Sequence, residues 1–173
     1  MHDDTLVYWS AHASGLAFFA AVLLAGRRMR DGSGTGAMRA AWTAACALLI
    51  AHEILAMGIS FGWSQRRAWD DIAARTDAMF GIGFGGGLIV NYATVAVWAA
   101  DVAWQWIWPA PHASRRPAVG AALWLYVAAM FFFGAVVFAE GAVRWISAAL
   151  FVVAAAWLGI CSPWRGRVRP ANA

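Results

Sequence analysis

Five stretches at 6–26, 38–60, 79–101, 118–139 and 143–161 carry no arginine in their interiors, and each is long enough to cross about 30 Å of hydrocarbon as a helix. The breaks between them coincide with arginine clusters, prolines or glycine-containing polar runs. Composition agrees: 62% of the residues are hydrophobic and 13% charged, against about half and about a quarter in soluble domains. The pattern predicts an all-α integral membrane bundle of five transmembrane helices, one domain over residues 1–173.

The arginines give the bundle a direction, because short arginine-rich loops stay cytoplasmic. Arg27, Arg28, Arg30, Arg39, Arg115, Arg116, Arg165, Arg167 and Arg169 fall on one side, and Arg66, Arg67, Arg75 and Arg144 on the other. The expected orientation has the N-terminus outside, the C-terminus cytoplasmic, and the chain in a bacterial inner membrane. Tryptophans concentrate at headgroup level, and they divide in the same way. Trp9, Trp63, Trp69 and Trp145 mark the outer boundary, while Trp42, Trp104, Trp106, Trp108, Trp124 and Trp164 mark the inner one. The residues before the first span include Asp3 and Asp4, where a cleavable signal would be basic, so that span is expected to be an uncleaved anchor. Cys46 and Cys161 fall on the reducing side and predict no disulfide.

All 13 basic residues are arginine. Without lysine there is no Schiff base for retinal or pyridoxal phosphate and no P-loop lysine. A literal G-x-G-x-x-G from Gly81 lacks the strand that a nucleotide site requires. The same run reads instead as two small-xxx-small pairs, Gly81 with Gly85 and Gly83 with Gly87, a face for packing against another helix, a partner subunit or a flat cofactor. Before it, Trp69, Ile72, Ala73, Met79 and Phe80 recur at helical spacing opposite Arg67, Asp70, Asp71 and Arg75. They predict an interfacial helix at 66–78 that anchors the chain or covers the outer leaflet. Arg165, Arg167 and Arg169 suit attraction to anionic lipid, whereas the basic surface is too small for nucleic acid.

Ionisable groups inside a span cost about 2.5–3.5 kcal/mol on insertion scales, which makes each a candidate for function. His12, His52 and Glu53 are those groups, with Asn91 and Tyr92 as uncharged company. At about 1.5 Å of rise per residue, His12 lies about 9 Å and His52 about 12 Å from the outer ends of two antiparallel spans, nearly the same depth. Such a pair can ligate haem b from both sides, with Arg144 meeting a propionate, or hold copper or zinc with Glu53 as a further ligand. It can equally be a neutral, hydrogen-bonded packing pair or a proton relay. Glu53, about 100° around the helix from His52, is expected on a different face, paired with Arg144 or protonated.

Trp63-Ser64, Thr76, Gly85-Gly86-Gly87, Asn91-Tyr92, Trp98, Asp101, Trp104, Phe131-Phe132-Phe133, Val136-Val137-Phe138 and Val143-Arg144-Trp145 together resemble a group of small polytopic bacterial membrane proteins. The resemblance implies the multi-span architecture and no particular reaction. Members of that group often carry further histidines near the Trp-Ser pair, where this chain has Gln65 and alanines.

Three functions are consistent with these residues. The first is an accessory or complex-forming membrane subunit without catalysis. The second is a membrane redox protein holding haem or a metal through His12 and His52. The third is a proton-coupled transporter using Glu53, which predicts an internal repeat that the sequence lacks. An intramembrane hydrolase using Ser10 or Ser14 with His52 has the weakest sequence support.

Overall fold

The computed structural model describes residues 3–161 and is entirely helical over them. The tail arginines and Trp164 lie outside the described residues. Helices α1 (Asp3–Asp31), α2 (Thr35–Leu55), α4 (Gly87–Ile107), α6 (Pro117–Phe132) and α7 (Gly141–Cys161) form the bundle. Counting the π turns Ala56–Ser60 and Phe133–Val137 that prolong α2 and α6, all five are long and apolar enough to cross a membrane. Two shorter helices mark the ends: α3 (Gln65–Phe80), after α2, and α5 (Pro109–Ala113), after α4.

Local chemistry sets the boundaries. Gly32 and Gly34, at φ of 74° and 81°, turn the chain between α1 and α2. Ser64 caps α3 by accepting from the Arg67 amide at 3.3 Å, and Gly81, at φ 69°, ends it. Pro109 and Pro117 occupy first-turn positions of α5 and α6, where a missing N–H costs nothing. Along α3, Arg75 pairs with Asp71 at 2.7 Å, the i,i+4 contact expected from the sequence.

The glycine run departs from expectation. Rather than opening a membrane span at 79, residues 81–86 form a loop, Met79 and Phe80 finish α3, and α4 begins at Gly87. The glycines serve α3: a Cβ on Gly85 would meet the Trp69 indole at 2.4 Å, and one on Gly87 would meet Ile72 Cγ2 at 3.0 Å. Thr76 Oγ1 closes the loop by accepting from the Phe84 amide at 3.0 Å.

The core lies toward the α5 end. Phe18, Trp42, Trp98 and Val127 are buried together, with Trp42 stacked on Trp124 at 4.0 Å and Phe18 on Phe131 at 4.7 Å. Trp42 and Trp124 are therefore interior packing residues rather than members of an interfacial belt. Large apolar side chains such as Leu16, Ile89, Leu125 and Val152 remain exposed on the outside, as lipid-facing positions of a membrane bundle would be.

A buried carboxylate ties this end together. Asp101 accepts from Trp42 Nε1 at 3.0 Å, lies 3.0 Å from His112 Nε2, and pairs with Arg115. One side chain thus joins α2, α4, α5 and the start of α6. Removing one partner of a buried pair leaves the other charge uncompensated, at a cost of about 3–5 kcal/mol. Asp101→Ala is expected to lose stability of that order, measured by unfolding in detergent micelles, and parental stability would show the pair to be dispensable.

Candidate functional site

At the α3 end the bundle forms an open cavity of about 760 Å³, within the range of cofactor and ligand pockets. Every long helix contributes to its wall. Tyr8, Trp9 and His12 come from α1, Leu49, His52 and Glu53 from α2, and Asn91 and Thr94 from α4. Phe131, Gly134 and Ala135 come from α6 and its π turn, Glu140 from the following loop, and Ile146, Ser147 and Leu150 from α7. His12, His52, Glu53 and Asn91, distant in sequence, share this one wall. The offset between His52 and Glu53 does not separate them, because the cavity is wide enough to span both faces of α2.

The hydrogen bonds fix how each imidazole presents itself. His12 Nδ1 lies 2.8 Å from the Tyr8 carbonyl. A carbonyl only accepts, so Nδ1 carries the hydrogen and Nε2 keeps a lone pair. That Nε2 is buried and has no hydrogen-bond partner. His52 Nδ1 lies 3.1 Å from the Val7 carbonyl and 3.2 Å from Ser10 Oγ, whose own hydrogen goes to Val7 O at 2.8 Å. The same reasoning puts the His52 hydrogen on Nδ1 and leaves its Nε2 as an acceptor. Both rings are thus steered by consecutive carbonyls of α1, and both keep the nitrogen that binds metals.

The remaining residues of interest divide. Arg144 is not among the wall residues: its guanidinium donates to Ala139 O at 2.8 Å and Val137 O at 3.1 Å. It is therefore not paired with Glu53, because the end of the α6 π turn frees carbonyls that need a donor. Tyr92 turns away from the cavity and donates to Gln65 Oε1 at 2.7 Å. Ser14 is fully buried and donates to Ala45 O at 2.9 Å, a tie between α1 and α2 rather than a nucleophile beside a base. Among the described residues no three His, Cys, Asp or Glu side chains converge on one point, so Glu53 does not complete a preassembled three-ligand centre with His12 and His52.

Sequence reasoning missed two contributors. Glu140, just past the expected fourth span, shares the wall with Glu53. Asp101, outside the wall at the other end of the bundle, is 7% exposed and bound to His112 and Arg115, which carried no signal of their own. The break at Pro109 could have suggested the second contact, since it returns the chain toward α4.

Comparison of the chain with protein-family models, with curated proteins and with solved structures finds no match in any of the three.

The tautomers are directly measurable. Nitrogen-15 NMR of histidine-labelled protein in nanodiscs at neutral pH is expected to show a protonated Nδ1 and an unprotonated Nε2 on both His12 and His52. Protonated Nε2 on either ring would contradict the assignment.

Proposed function

We propose that the chain is a metal-binding protein of a bacterial inner membrane, N-terminus outside, that holds a copper ion on Nε2 of His12 and His52 in its outer-leaflet cavity. The observation that carries this reading is the pair of Nδ1–H contacts to backbone carbonyls, the outer-shell arrangement that orients metal-ligating imidazoles. Imidazole nitrogens suit copper and zinc, and copper is the tighter binder in the divalent series. With two protein ligands, a bound ion would retain open coordination positions, which would suit redox or ligand-binding chemistry.

Charge favours a cation over haem. The ionisable side chains of the wall include Glu53 and Glu140, and no arginine lines it among the described residues. A haem would bring two propionates into that wall, where burying an unpaired anion is costly. For the accessory-subunit reading, Gly85 and Gly87 of the expected partner face are covered by the chain's own Trp69 and Ile72, while Gly81 and Gly83 have nothing within 4 Å.

Copper titration of the purified protein in nanodiscs, followed by metal analysis and electron paramagnetic resonance, tests the assignment. One copper per chain with nitrogen hyperfine splitting is expected, and both are lost in His12→Ala and His52→Ala. Ser10→Ala removes a contact that orients His52 and is expected to weaken binding about 10- to 100-fold. Copper retained by both histidine variants, or a Soret band in the purified protein, would overturn the reading.

A further inference from the structure

The cavity is much larger than an ion needs, and its wall combines a few polar groups with a larger apolar surface. The histidines and the two carboxyls line the wall together with Phe19, Phe131, Phe151 and Leu150, which supply apolar surface. Trp9, Leu16 and Ile146 belong to the same wall and are 62%, 65% and 61% exposed, so the cavity reaches the lipid-facing surface of α1 and α7. On α6, a Cβ placed on Gly134 would meet nothing within 4 Å. The space beside the π turn is open, and no side chain of the bundle fills it.

We infer that the cavity admits, from the surrounding leaflet, a lipid-soluble molecule with a hydroxyl head on an apolar body and no acidic group, such as a long-chain phenol. The head is selected by the polar wall. His52 Nε2 and the carboxyl oxygens of Glu53 and Glu140 accept a hydrogen bond from O–H, whereas a carboxylate head meets Glu53 and Glu140 without an arginine in the wall to compensate it. The body is selected by the aromatic surface, and the route by the exposed rim. The inference shares its cavity with the metal reading but rests on shape and charge, so it holds for the metal-free protein as well.

The test uses protein in nanodiscs after chelation of metal, titrated calorimetrically with para-nonylphenol and, in parallel, with para-nonylbenzoic acid at neutral pH. Saturable binding of one phenol per chain is expected, with the benzoate at least about tenfold weaker, the order expected for burying an uncompensated anion. Gly134→Phe fills the open space and is expected to abolish saturable phenol binding. Gly159→Phe, which also adds a ring where nothing lies within 4 Å but outside the cavity wall, is expected to leave binding unchanged. Equal or tighter binding of the benzoate by the unsubstituted protein would overturn the inference, as would unaltered phenol binding by a folded Gly134→Phe. Because no metal is present, failure here is distinct from failure of copper to bind at His12 and His52.

Discussion

A polar atom buried in hydrocarbon has no water to turn to and must find its partner within the protein. Most of the buried polar groups of this bundle follow that rule. Ser14 spends its hydrogen on Ala45 O, Asp101 collects Trp42, His112 and Arg115, and Arg144 covers the carbonyls at the end of a π turn. Against that background the exceptions stand out. His12 Nε2 is buried without a partner. It lies in the same wall as His52 and Glu53, whereas the other two such atoms among the described residues, Arg39 Nε and Trp98 Nε1, lie outside that wall.

The two ends of the molecule are packed differently. Stacked indoles and phenyl rings, locked by a buried carboxylate, close the α5 end and leave little space. At the α3 end both α2 and α6 finish in π turns, the irregularity that helices most often carry at functional sites. Small residues on the wall, including Gly15, Gly134 and Ala135, do not refill the space. Nothing at this end replaces the aromatic stack, and a cavity is the consequence.

The spans were legible because arginine is excluded from hydrocarbon wherever it falls in the chain, a rule that needs no knowledge of neighbours. Depth was legible for the same reason, since helical rise alone brought His12 and His52 to one level. What could not be read depended on contacts remote in sequence. Trp42 resembles a belt residue until Asp101, on another helix, is seen to accept its N–H. Arg144 resembles an anion ligand until the carbonyls released by the π turn compete for it. The glycine run was misread through its apolarity: glycine passes a hydropathy filter, but its freedom at φ 69° ended α3 and made room for Trp69 instead of opening a span.

The relation between the histidines depends on α1 more than on their own positions. Val7 and Tyr8 are adjacent residues, and their carbonyls hold both Nδ1–H groups. His52 belongs to α2, so its contact survives only while the two helices keep their register. Ser14 and Ala45 fix that register: Ser14 follows His12 by two residues, and Ala45 precedes His52 by two helical turns. A slip of one residue along α2 would carry His52 about 1.5 Å along the helix axis and swing it about 100° around it. That displacement exceeds the tolerance of a hydrogen bond. The buried Ser14 hydroxyl, which looks from sequence like a nucleophile in waiting, instead ties α1 to α2 at the register that the His52 contact needs.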